Sequence, residues 1–193
     1  MNKVLILGIN GFTGRHFQEY VFNNYLDEHY TFIGVDKEID NGITIDCMKI
    51  DLLEGENLQE LIREEMPEYI MNFIGMLNSD DLNTLLELNA RVSHRILETI
   101  VKHNLPVKSI LFIGSAAEYG TNSCLPMKEN AELCPVSYYG LSKVIQTHYT
   151  LYFNRNWGIN VNIARAFNII GRGMSKTLSI PSFLKRIQEA DDG

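Results

Sequence analysis

The sequence predicts an α/β fold, a doubly wound parallel sheet with helices on both faces. Apolar runs of strand length alternate with amphipathic segments of helix length along the chain. The first run breaks into three glycines, Gly8, Gly11 and Gly14, spaced G-x-x-G-x-x-G. The strands end in small or polar residues (Gly8, Asp36, Gly75, then Gly114 and Ser115), where sheets of this kind bind their ligands.

Residues 3–7 read as a buried strand. Phe17, Tyr20 and Val21, at i, i+3 and i+4, mark the helix after it. Glycine is needed where the chain turns sharply and where a side chain would block a phosphate. The helix N-terminus behind such a turn offers unpaired N–H groups and a partial positive charge. The turn, with Asn10, Phe12 and Thr13 between its glycines, reads as a pyrophosphate cradle. A glycine-rich βα turn without a ligand is the plainer alternative.

Residues 31–36 form a second strand that ends in a carboxylate. Asp36 lies about 20 residues past the glycine turn, where an acidic residue binds the adenosine ribose hydroxyls. A carboxylate there repels a 2′-phosphate, so NAD is favoured. Lys37 could partner a phosphate and keeps NADP open. The alternative for Asp36 is a surface residue at a strand end.

Residues 44–51 read as a third, partly exposed strand. A short helix over 56–65 carries Leu58, Leu61 and Ile62 and is stopped by Pro67. Residues 69–75 form a fourth strand. A long helix over 81–103 follows, with Leu82, Leu85, Leu86, Val92, Ile96 and Ile100 on its apolar face and Asn89 interrupting that face. A fifth strand spans 109–114, a helix 138–157, a strand 159–165 and a last helix 181–190. No repeat, low-complexity stretch or linker divides the 193 residues, so one domain is expected.

Apolar residues at 45% and charged residues at 21% suit a globular core. The net charge of -7, without a run of Lys or Arg, makes nucleic acid and anionic membrane poor partners. No apolar stretch reaches bilayer length and no signal-peptide layout opens the chain, so a cytoplasmic location is expected. Cys47, Cys124 and Cys134 are odd in number and lack a C-x-x-C pair. That suits a reducing compartment and argues against a disulfide frame or a metal site.

Candidate chemistry lies past the midpoint. Ser115 follows the fifth strand, and Tyr139 and Lys143 share one face of the next helix. A phenol titrates near pH 10, and a neighbouring ammonium lowers that value. The positive ring of an oxidised nicotinamide would add to the effect. A tuned Tyr donates a proton to a carbonyl oxygen as hydride reaches its carbon, or runs the reverse. A Ser hydroxyl can hold the same oxygen. With nine Tyr in the chain, a Y-x-x-x-K pair alone means little more than packing and a solvated charge. The order is what singles it out: glycine turn, carboxylate, Ser after a strand, then Tyr and Lys on the following helix.

With these residues in place, the chain resembles the extended short-chain dehydrogenases/reductases of the nucleotide-sugar epimerase/dehydratase family. Gly8, Gly11 and Gly14, with Phe12, match the family's glycine turn. The resemblance implies a Rossmann-type NAD(P)-binding domain over 1–193, stopping before most of the family's substrate-binding region. It implies that Asp36 binds adenosine ribose, that Asp51 and Leu52 flank the adenine, and that Phe73, Ile74 and Gly75 run beside the cofactor. Asn89 matches the helix asparagine near the nicotinamide. Ser115, Tyr139 and Lys143 match the catalytic residues, the latter two also touching cofactor. Residues 165–168 resemble the R-x-F-N segment, which places Ala166 by the cofactor and Asn168 by the substrate.

Dehydratases of the family carry an acid and a base just after the catalytic Ser/Thr. Ala116 and Ala117 stand there, with Glu118 one place late unless the loop shifts. Segments 114–120, 135–140, 167–171 and 180–183 look most like the 4-keto-6-deoxy-hexose reductase branch, which reduces sugars such as GDP-4-keto-6-deoxymannose. A 4-epimerase uses the same three residues and stays open. A cofactor-binding module without turnover is the reading from another class. A flavodoxin-like protein, which would leave Ser115, Tyr139 and Lys143 scattered, is a third. The resemblance also implies a homodimer through the long helix and the Tyr/Lys helix.

Overall fold

The computed structural model describes residues 1–40, 42–121, 125–175 and 179–191. Cys124 lies outside them. In chain order the elements are β1 (Asn2–Leu7), α1 (Phe12–Asn23), β2 (Tyr30–Asp36), β3 (Asp46–Lys49), α2 (Asn57–Glu65) and β4 (Tyr69–Asn72). There follow α3 (Leu82–Leu86), a π-helical turn (Glu87–Arg91), α4 (Val92–His103), β5 (Ser109–Ser115), α5 (Tyr138–Trp157), β6 (Val161–Ala166) and α6 (Ser179–Asp191). The six strands form one sheet in the order β3-β2-β1-β4-β5-β6, and every pairing is parallel. This is the Rossmann-like doubly wound arrangement, with the order reversing between β1 and β4.

Successive strand residues point to opposite faces. Leu5, Leu7, Ile33, Val35, Ile70, Ile110 and Phe112 therefore pack on one side, under α2, α4 and α5. Val4, Ile6 and Phe32 pack on the other, under Val21 and Phe17 of α1. Burying each such aliphatic side chain stabilises the fold by about 2 kcal/mol. Tyr20, expected on the buried face of α1, is 57% exposed; Gln18 takes a buried place instead.

Register sets the site. Leu7 stands level with Val35 and with Asn72, so Gly8, Asp36 and Phe73 emerge together at one edge of the sheet. On the far side Ser115 pairs with Ala166.

Three elements differ from expectation. β3 starts at Asp46 rather than residue 44, because the N–H groups of Thr44 and Ile45 donate to the Gln18 side chain instead of the ladder. β4 stops at Asn72 because the Asn72 side-chain oxygen captures the Ile74 N–H at 3.1 Å. The long helix is interrupted by the π turn, which contains Asn89. Among the described residues no helix is long and apolar enough to cross a membrane.

Candidate active site

A cleft of about 460 Å³ opens at the strand ends where β1, β2 and β4 stop. Gly8, Asn10, Gly11, Asp36, Lys37, Asp51, Leu52, Phe73, Ile74 and Gly75 line it, as do Glu38, Ile50, Leu53, Met76 and Leu88. The last five were not singled out from sequence. Glu38 could have been, lying in the turn that carries Asp36; the apolar ones carry no signal beyond their neighbours.

The cleft's floor is backbone. Gly8 has φ +81°, and a Cβ there would sit 3.0 Å from the Ile74 nitrogen. A Cβ on Gly14 would sit 2.5 Å from the carbonyl oxygens of Gly8 and Ile9, so the first turn of α1 packs directly on the strand exit. Gly11 is the N-cap of α1 and no side chain caps that helix, whereas Asp81 caps α3 and Ser137 caps α5. The uncapped N–H groups and the side-chain-free turn fit a dinucleotide pyrophosphate. The Asp36 carboxylate accepts from the Asn10 N–H at 3.0 Å and from the Lys37 N–H at 2.9 Å, which pins it at the cleft wall. Residues and cleft thus fit NAD.

Phe12, Thr13, Gly14, Asn89, Tyr139, Lys143 and Ala166 do not line this cleft. The Phe12 ring packs edge-on against His16 and lies over Gly171. Asn89 is 1% exposed and spends its amide on structure. It exchanges hydrogen bonds with the Met76 backbone and donates to the Ser142 hydroxyl, tying the β4 exit to α5. Ala166 is half-buried and Asn168 is exposed.

Ser115, Tyr139 and Lys143 converge beside the cleft. Gly140 makes this possible, since a Cβ there would lie 2.5 Å from the Ala117 carbonyl; α5 starts hard against the turn after β5. The Ser115 hydroxyl lies beside the Tyr139 phenol and draws its pKa down, and it accepts from the Ala117 N–H at 3.1 Å. Lys143 is 3% exposed. Its ammonium donates to the Ile113 carbonyl at 2.8 Å and to the Gln146 side chain at 3.3 Å. A Cβ on Gly75 would stand 3.5 Å from that nitrogen, so the ammonium borders the residue that closes the cleft.

The electrostatics differ from expectation. Burial raises the Tyr139 pKa, the Ser115 hydroxyl pulls it back, and the Glu118 carboxylate raises it further. The hydroxyl, not the ammonium, is what draws the phenol down, because Lys143 is turned onto Ile113 and Gln146. Burial lowers Lys143 itself to about 8, against the Glu118 charge. Glu118 is fully buried. It accepts from the Ser115 N–H at 2.8 Å, the Thr147 hydroxyl at 2.7 Å and the Arg165 guanidinium at 2.9 Å. Its carboxylate is thus spent inside the fold and does not line the cleft, so the loop shift that would present it as a dehydratase acid does not occur.

A model of the NAD dependent epimerase/dehydratase family matches residues 4–192. The chain belongs to that family. Among curated family proteins, a Methanocaldococcus jannaschii protein assigned as a UDP-glucose 4-epimerase is 29% identical over 188 residues, covering 87% of this chain and 56% of that one. GDP-6-deoxy-D-mannose reductase of Pseudomonas aeruginosa is 24% identical over 197 residues, covering 99% of this chain and 60% of that one. The likeness to the reductase is thus no greater than the likeness to an epimerase. A UDP-glucuronic acid 4-epimerase from Bacillus cereus, solved with UDP-glucuronic acid and NAD, superposes with a TM-score of 0.82. Its identity is 20%, over 97% of this chain and 63% of that one. The chain spans about three fifths of the length of these family members.

Proposed function

We propose that the chain carries the cofactor-binding and proton-transfer half of an NAD-dependent nucleotide-sugar oxidoreductase. The observation that carries this reading is the convergence of Ser115, Tyr139 and Lys143 at the Gly75 end of a cleft whose other end holds Asp36. NAD, when bound, supplies hydride exchange with a sugar carbon. The phenol of Tyr139 moves the proton on that carbon's oxygen, the Ser115 hydroxyl holds the oxygen, and Lys143 holds positive charge beside them. Gly8, Gly11 and Gly14 leave room for the pyrophosphate, and Asp36 takes the ribose hydroxyls. A nucleotide-sugar is the substrate class, approached by the exposed Asn168.

Epimerisation is the form best supported. Asp36 disfavours the 2′-phosphate of NADP, and an epimerase keeps its NAD by returning the hydride. Several curated relatives are named as 4-epimerases, as in UDP-arabinose 4-epimerase 1 of Arabidopsis thaliana. Reduction of a 4-keto sugar is the second reading, favoured by the sequence motifs and by the reductase relative. Thermal unfolding of the chain with NAD or NADP tests the first step, since a ligand of the native state raises the melting temperature. NAD is expected to stabilise it more than NADP, and Asp36→Asn to narrow the difference by about tenfold in affinity. Equal stabilisation by both would remove Asp36 from its role. Incubation with UDP-glucose or UDP-glucuronic acid then reads 4-epimer formation. Loss of NADH absorbance with GDP-4-keto-6-deoxymannose would favour the reductase instead. Cofactor binding without either reaction would make the chain a binding module.

A further inference from the structure

The buried network beneath the three converging side chains has a hub that no role above requires. Glu118 has no exposed surface. One carboxylate oxygen takes the Ser115 N–H, and the other takes the Thr147 hydroxyl and the Arg165 guanidinium. Glu118 and Ser115 form a reciprocal cap over the turn that follows β5. Space is made for the carboxylate: a Cβ on Gly114 would lie 2.6 Å from Glu118 Oε1. Arg165 also donates to the Tyr119 hydroxyl at 3.2 Å and to the Glu129 carbonyl at 3.0 Å, so the hub anchors the loop leading into α5. One carboxylate thus joins β5, α5, β6 and that loop.

We propose that Glu118 is a positioning residue of the Ser115–Tyr139–Lys143 site: it fixes the peptide that carries the Ser115 hydroxyl and sets one negative charge against both the phenol and the ammonium. This rests on the functional reading above for its purpose, though not for its test. The charged and titratable groups of the network, besides Tyr139, are Glu118 and Tyr119 from the turn after β5, Lys143 from α5 and Arg165 from β6; Arg165 pairs with Glu118 and also holds the Tyr119 hydroxyl. The Glu118 charge opposes ionisation of Tyr139 and favours the ammonium of Lys143. It therefore favours neutral phenol and cation, the forms that deliver a proton to a sugar oxygen and hold charge beside it in the reducing half of the exchange, and it opposes the phenolate that the oxidising half uses.

The test is a titration of Tyr139 in the chain without cofactor or sugar. The protein is labelled with [13Cζ]tyrosine, and the Tyr139 resonance is assigned by its loss in Tyr139→Phe. In Glu118→Gln the Tyr139 midpoint is expected to move to lower pH, and the Ser115 amide to exchange faster. Thr147→Val disturbs the same carboxylate while keeping its charge, and should leave the midpoint in place. If Glu118→Gln does not fold, the double variant Glu118→Gln/Arg165→Met removes both halves of the Glu118–Arg165 ion pair, leaves no lone guanidinium in the interior and carries the same titration. A midpoint unmoved in the folded variant, or moved equally by Thr147→Val, overturns the proposal and leaves Glu118 a structural cap. Because no turnover is read, failure of the enzyme assignment would leave this result standing. An unmoved midpoint in a chain that does epimerise would remove only the role of Glu118.

Discussion

At the β1–β2 end of the cleft the chain presents backbone: glycines packed against strand exits, uncapped N–H groups and one carboxylate held by two peptide N–H bonds. At the β5–β6 end it presents side chains that hold one another: Ser115 on Tyr139, Lys143 on Gln146, Glu118 on Ser115, Thr147 and Arg165. The first end is open and its groups need only be in place. The second is half-buried at Ser115 and Tyr139 and buried at Lys143 and Glu118, and the chemistry proposed for it also depends on which protons its groups hold. A region that binds by shape tolerates water. A region proposed to move protons is better served by burial, and burial is the main cause of the raised Tyr139 and the lowered Lys143.

The sharpest way to break this contrast is Tyr139→Phe. Turnover should fall about 1000-fold, the scale of a lost general acid-base group, while stabilisation by NAD stays unchanged. A variant that loses both would show that the two ends are one unit. Gly14→Ala acts on the other end. Its Cβ meets two backbone carbonyl oxygens at 2.5 Å, so the α1 turn must move. The chain should lose about 2 kcal/mol in denaturant unfolding, and NAD should no longer raise its melting temperature.

Lys143→Met gives the smallest effect and the opposite sign. With its native pKa at about 8, Lys143 is protonated in both folded and unfolded chains below that pH, and burial of the ammonium opposes folding there. Between about 8 and its ordinary value of about 10.4 the unfolded chain holds the extra proton, so the penalty fades as pH rises. The penalty is about 3 kcal/mol at pH 7. Lost hydrogen bonds to Ile113 and Gln146 offset most of it. A gain of roughly 1 kcal/mol at pH 7, shrinking above pH 8, is expected from urea unfolding at several pH values. A loss of stability at pH 7 would show that the ammonium is a structural strut rather than a strained catalytic group.

What could be read in advance follows the same division. Gly8, Gly11, Gly14 and Asp36 act through spacing along the chain, which a sequence displays directly. The parallel sheet was legible because each strand is a separate apolar run. Tyr139 and Lys143 were legible only as a pair on one helix; their opposite pKa shifts come from burial, which no spacing encodes. Asn89 showed as a polar break in an apolar face, but its partners Met76 and Ser142 lie on other elements. In the sequence Glu118 reads only as a misplaced dehydratase acid. Its inward direction depends on Gly114 making room and on Arg165 arriving from β6, far along the chain. The late start of β3 and the early end of β4 are set by Gln18 and Asn72 side chains taking backbone N–H groups, a competition invisible in periodicity.

The π turn at Glu87–Arg91 makes chain length a variable of the site. A π turn holds one residue more than the α-helical ladder accepts. Excising one residue from that stretch would let the α-helical ladder close, because the wide turn alone absorbs the extra residue while the turns on either side keep their faces. Asn89 would then leave Met76 and Ser142, uncoupling the β4 exit from α5 with no contact residue replaced. A related chain one residue shorter in this helix should therefore lack the tie that Asn89 makes between the β4 exit and α5.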